Sequence, residues 1–161
     1  MNLGANVAHV RHYMGWERIE FTYRFAPATL DNDDRKRCYD NLRSLEVRKQ
    51  HTSELVHWLE PVLKISAAIL QTDDLTDLTP DALVALRRRY AGPPMDALTV
   101  VVNRYCDGVE PTPEEYRSAM AQAETVGKRE EVLRSLEKIA LQRSKWHRDG
   151  SPRRVNHWRR P

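Results

Sequence analysis

Cysteine is scarce in this chain: Cys38 and Cys106 are its two copies, 68 positions apart and outside any CxxC pairing. That rules out a disulfide-stapled scaffold and reads as two buried, idle thiols in a reducing compartment. No run of about 18 apolar residues occurs, so nothing is expected to span a membrane. The start, MNLGANVAHVRHYMGW, has no charged region leading into an apolar stretch, so no secretory signal is expected and a cytoplasmic location follows. Neither a GxSxG elbow, a Walker loop nor a GxGxxG turn is present. Carboxylates abound, but nothing selects two of them as a catalytic acid and base. The chain is therefore not expected to be an enzyme or to carry a cofactor. His9 and His12 form an HxxH pair and His51 and His57 stand six apart, yet no four-ligand zinc set assembles with either cysteine, so no metal is expected. The acidic stretch DDLTD, 73–77, lacks the glycine and the closing glutamate of a calcium loop and reads as a solvated capping turn.

What the chain does have is length for one core and an uneven charge. Its 161 residues suit a single domain, with 40% hydrophobic and 30% charged residues. The formal charge of +3 conceals a division. From Arg143 to Pro161 stand seven Lys/Arg and one acid, a net of +6. The remaining 19 bases and 22 acids leave residues 1–142 at −3. A basic end on a mildly acidic body points to a polyanionic or acidic partner for that end.

Along the chain the first pattern is ERIEFTYRF, Glu17–Phe25. Ile19, Phe21, Tyr23 and Phe25 alternate with Arg18, Glu20, Thr22 and Arg24. That is period two, which predicts a strand, with Gly15-Trp16 turning a hairpin back onto residues 7–14. A lone hairpin is marginal in water, so it should pack on the helical body or pair with another protein.

After Pro27 the periodicity is helical. Asp31 caps a helix with Asp33 and Asp34 in its first turn and Cys38, Leu42 and Leu45 on its apolar edge. Lys36 and Arg43 sit opposite that edge, while Arg37 and Arg48 share a flank. Leu55, Val56, Leu59, Val62, Leu63, Ile69 and Leu70 recur at helical spacing, with a kink or restart expected at Pro61. Thr79-Pro80 opens a further helix, with Leu78 placed to staple onto Leu83 and Gly92-Pro-Pro as its stop. Residues 95–106 follow at helical spacing. Their approach through Gly92-Pro-Pro is similar to a helix-turn-helix, but Asn103 and Arg104 are the only base readers there, so groove reading is not expected. Thr112 to Glu115 is a capping box. Beyond it Tyr116, Ala119, Met120 and Ala123 form one stripe, and Val132, Leu133, Leu136, Ile139, Ala140 and Trp146 another. Gly127 either separates two helices or lies inside one. No internal repeat is found.

The expected fold is mainly α: a bundle of five or six helices (28–147), a small N-terminal β strand or hairpin packed on it (1–27), and an extended basic aromatic tail (148–161). Gly150, Pro152 and Pro161 oppose helix in that tail, and Val155 is its only aliphatic, so it cannot order itself.

The tail carries the functional expectation. Six of the seven bases from residue 143 onward are arginine, whose planar fork binds phosphate bidentately and stacks on bases. Arg143, Lys145, Trp146, Arg148, Arg153, Arg154, Trp158, Arg159 and Arg160 are the candidate contacts, with rings interleaved among charges as single strands or RNA require. Arg87 and Arg88, in RRRY, are a second candidate patch, although cations also belong at a helix C-terminus. Ser151–Arg154, SPRR, resembles the Ser-Pro-basic-basic turns of DNA-binding tails in histones and related proteins. The resemblance covers four residues and implies contact with duplex, so duplex stays open beside RNA and single-stranded DNA.

The expectation is a non-enzymatic accessory subunit, binding nucleic acid through phosphate and stacking contacts among the protein subunits of a larger nucleoprotein assembly. Small helical subunits of CRISPR effectors, and phage or plasmid packaging or partition proteins, share this size and class. Two other destinations remain for the tail: an acidic protein partner, which would make the chain a protein-interaction module such as an inhibitor, adaptor or virion component, or the chain's own acidic body, with Trp158 in an apolar slot.

Overall fold

The structure, a computed structural model, describes residues 2–146. Nine helices run through them and no strand occurs among the described residues. They are α1 (Leu3–Met14), α2 (Arg18–Phe25), α3 (Asn32–Val47), α4 (Val56–Leu63), α5 (Ala67–Thr72), α6 (Pro80–Arg88), α7 (Ala97–Asp107), α8 (Pro113–Thr125) and α9 (Arg129–Trp146). The mainly α architecture stands. The expected tail lies outside the described residues.

The N-terminal strand is corrected to helix. Residues 7–14 belong to α1, which ends where Gly15 takes a left-handed φ of 74° and its N–H donates to the His12 carbonyl. The Trp16 N–H reaches back to Arg11, so the expected hairpin turn is a helix C-cap. The alternating stretch itself is α2. Alternation misleads here because its polar members do not face water. Glu20, Thr22 and Arg24 are as buried as Phe21, Tyr23 and Phe25. A helix satisfies its own backbone groups and can therefore be enclosed on every side, which a lone strand cannot. Arg24 and Glu20, four residues apart, pair along one helix face at 2.8 Å.

This enclosed helix joins two apolar clusters. Phe21 and Phe25 belong with α1, α3, α4, α5 and Leu83. Tyr23 belongs with α7, α8 and α9. Thus α2 packs on α3, α4, α7 and α9, and it ties the two clusters into one body. At about 25 cal/mol per Å² of apolar surface removed from water, this burial is the main stabilising term.

Local signals place the other helices where the sequence puts them. The Asp31 carboxylate accepts from the Asp34 N–H at 2.8 Å, Thr79 caps α6, and both bonds of the Thr112–Glu115 capping box form. Two breaks set the count. One helix ends at Lys64 and the next is capped by Ser66, which accepts from the Ile69 N–H, so the break falls three residues after Pro61. The last pair divides at Gly127, φ 68°. With α1 and α2, these breaks raise five or six expected helices to nine.

Candidate nucleic-acid interface

Among the residues chosen from sequence, several have structural duties. Trp146 ends α9 with 3% exposure, its ring 5.7 Å from that of Tyr23. It closes the second apolar cluster and offers no face for a base to stack on, which corrects the expectation for this residue. The stripe arithmetic held the signal, since Ile139 and Trp146 are seven apart on one helix face. Arg143 is half-buried and donates from Nη1 to the Tyr105 carbonyl at 3.4 Å, in the last turn of α7. Arg87 donates from Nε to the Leu63 carbonyl at 2.8 Å, at the last residue of α4. Arg87 satisfies a carbonyl that the end of α4 leaves without an internal partner, whereas the Tyr105 carbonyl already accepts from the Gly108 N–H at 3.1 Å and Arg143 adds to that bond. Burial holds the pKa of Arg87 below its ordinary value, an added mark of a structural role. Arg88 and Lys145 are exposed. Arg148, Arg153, Arg154, Trp158, Arg159 and Arg160 lie outside the described residues. Asn103 and Arg104, the base readers considered for α7, are engaged within the fold. Asn103 bonds Arg24, and Arg104 pairs with Glu115 at 3.0 Å.

The interior holds the densest polar cluster. Arg24, 2% exposed, donates to Glu20, Asn103 and Asp107, and its guanidinium stacks 4.3 Å over Trp16. Next to it, Arg11 grips Glu46 bidentately with both distances at 2.8 Å, and Arg18 adds a third bond. Cys106 adjoins the Arg24 group with 0% exposure. Burial pushes its thiol up to about 12, Arg24 partly opposes this, and Glu20 and Asp107 add to it. The thiol therefore stays protonated and makes no nucleophile at neutral pH. Cys38 is also buried, and burial raises its pKa as well. These groups hold helices together rather than facing a substrate. Among the described residues no three His, Cys, Asp or Glu side chains gather as a metal site would require, and no helix is long and apolar enough to cross a membrane.

On the surface, one cleft combines cations with an aromatic ring. It lies between the outer flank of α3 and the segment leading into α4, with a volume of about 730 Å³. Arg37 projects from α3 and Arg48 from its C-cap, eleven residues and three turns apart, so both face the same flank. His57 and Trp58 enter from α4, and Asn41, Ser44 and Ser53 supply short polar groups. Arg37 is 77% exposed despite its 3.1 Å pair with Asp34, and Arg48 makes no ion pair among the described residues. Glu54 is the one acid on the lining. Trp58 is 40% exposed because it falls off the Leu55–Leu59–Val62 stripe that buries α4. An exposed indole sharing a cleft with two guanidiniums can take a base on its face while the cations hold phosphates. Sequence reading placed Arg37 and Arg48 on a common flank but did not bring Trp58 to them, because that meeting depends on how α3 and α4 each pack on α2.

In comparisons with protein-family models, with curated proteins and with solved structures, nothing matches this chain.

Proposed function

We propose that this chain is a non-enzymatic helical subunit that binds nucleic acid, single-stranded DNA or RNA in preference to duplex, as part of a larger nucleoprotein assembly. The observation that supports this most is the α3–α4 cleft, which Arg37, Arg48 and the exposed Trp58 line together. Stacking on such a ring is worth about 1–3 kcal/mol per base and accepts any sequence. The arginines of residues 147–161 add phosphate contacts: five Arg against one acid, a net of +4. A single-stranded ligand suits the cleft because its bases are free to leave the stack, whereas those of a duplex are not.

Anisotropy of labelled single-stranded and duplex oligonucleotides, titrated with the full chain at several salt concentrations, tests the reading. The expected result is tighter binding of single strands with a steep salt dependence, each phosphate contact contributing about −0.7 to the slope of log affinity on log salt. Replacing Arg153, Arg154, Arg159 and Arg160 together by glutamine should flatten that slope. Absent binding, or binding indifferent to salt, would overturn the reading and favour the protein-interaction module instead.

A further inference from the structure

A trough whose larger cavity carries the opposite charge runs beside the cationic cleft. It begins against the C-terminal half of α9, in a cavity of about 480 Å³ where Leu141 stands 68% exposed. This cavity is lined in common with a second, of about 800 Å³, by Leu30, Asp31 and Glu131, so the two form one path. The larger cavity is apolar at its base, with Phe25, Leu98 and Met95, and flat-faced at its rim, with Trp58, Pro93 and Pro94. Val126 on that rim is 57% exposed. Four acids line it, Asp31, Asp34, Asp96 and Glu131, against the single cation Lys128. Exposed apolar side chains gathered in a cavity with a polar rim mark a docking surface rather than ordinary solvent-facing protein.

We infer that this trough docks the chain's own C-terminal segment, residues 147–161. The charges complement each other in the larger cavity, about −3 against +4 on the segment, while the smaller cavity balances Asp31, Glu131 and Glu137 against Arg35, Arg134 and Lys138. The segment brings one aliphatic and one large aromatic anchor, Val155 and Trp158, to a cavity walled by apolar faces. Its reach suffices. Returning along α9 from Trp146 to Arg129 spans about 26 Å at 1.5 Å per residue. Twelve residues carry the chain from Trp146 to Trp158, about 40 Å when extended. The path starts at Leu141, five residues before the segment leaves α9, and leads to Trp58. His57 and Trp58 line both the trough and the cationic cleft, so the docked segment would set its surplus arginines beside Arg37 and Arg48. The docking requires no polyanion and stands independently of the nucleic-acid reading.

The test uses the full chain without nucleic acid. A nitroxide is attached through Asn156→Cys, which Cys38 and Cys106 leave as the reactive thiol because both are buried. Magnetic resonance then follows the Trp58 indole N–H and the Val126 amide. Docking predicts loss of both signals at low protein concentration. It also predicts their recovery in Asp34→Asn/Asp96→Asn/Glu131→Gln, in which asparagine preserves the Asp96 cap of α7. Trp158→Ala, which removes the aromatic anchor and leaves every trough-lining residue unchanged, should restore them as well. Unbroadened signals in the labelled full chain would overturn the inference, as would broadening that persists in both variants. So would broadening passed to a second, isotope-labelled copy in a mixed sample, since the occupant would then be another molecule's segment.

Discussion

Truncating Arg24 to alanine deletes four hydrogen bonds to three partners and leaves Glu20 sealed in the interior. Glu20 is 0% exposed, and its Oε1 already has no hydrogen-bond partner, so its compensation comes entirely from Arg24 on Oε2. Asp107 is better placed, because at 40% exposure water can replace the lost guanidinium. Removing one member of a buried pair costs about 3–5 kcal/mol, most of it from the charge left behind. Loss of the contact with Trp16 adds to this. Set against a typical total of about 5–15 kcal/mol, such a loss is large. At about 2–4 °C per kcal/mol for a chain of this size, it lowers Tm by about 6–20 °C. Urea denaturation followed by circular dichroism measures the change directly. The paired variant Glu20→Leu/Arg24→Met separates the causes, because it removes both charges while filling the space. It should recover most of the deficit, since apolar replacement of a buried pair is often neutral or stabilising. A loss below about 1 kcal/mol for Arg24→Ala, or a paired variant less stable than the single one, would refute a buried-charge origin for the cluster's importance.

Other substitutions probe the fold independently. Trp146→Ala should cost about 3–5 kcal/mol in the same urea assay, because it opens the second apolar cluster; a cost under about 1 kcal/mol would mean the ring is not part of the core. Thr112→Ala removes the acceptor for the Glu115 N–H at 3.1 Å and should cost about 1 kcal/mol, while Thr112→Ser should recover most of it. Cys106 predicts an alkaline dependence. Burial raises its folded pKa to about 12 from an ordinary 9.0, so the unfolded chain gives up this proton first. Its contribution is fully present below about pH 9 and falls as pH rises toward 12, by at most about 1.4 kcal/mol per pH unit. Cys106→Ala should flatten the fall in urea midpoint above about pH 9, and an unchanged profile would contradict the assignment.

The fold was legible where its cause is local. Asp31, Thr79-Pro80 and Thr112–Glu115 announce helix starts through side chains that bond backbone groups three residues away. The α2 segment was not legible, because whether Glu20 and Arg24 face water depends on Asn103 and Asp107, some 80 positions along the chain. Pro61 drew the expected break to itself, yet α4 accommodates it and the chain turns at Lys64, φ 57°. Pro61, third from the end of the eight-residue α4, removes one bond, which the carbonyl of the exposed His57 can make to water instead. For the interface, arginine-rich sequence marked the C-terminal end but mixed two kinds of residue. Arg87, Arg143 and Trp146 serve helix ends and core, whereas Trp58, adjacent to a buried stripe, turns out to be the exposed ring.

Charge at the α3–α4 cleft decides the functional account most directly. Affinity of the full chain for a single-stranded oligonucleotide, measured across salt concentrations, should lose about 1.4 from the slope of log affinity on log salt in Arg37→Gln/Arg48→Gln, or about 0.7 per phosphate contact removed. Trp58→Leu should weaken binding by about 1–3 kcal/mol and leave that slope unchanged. An unaltered slope in the double variant, with urea midpoints showing it as stable as the parent, would contradict the claim that this cleft holds a nucleic-acid backbone.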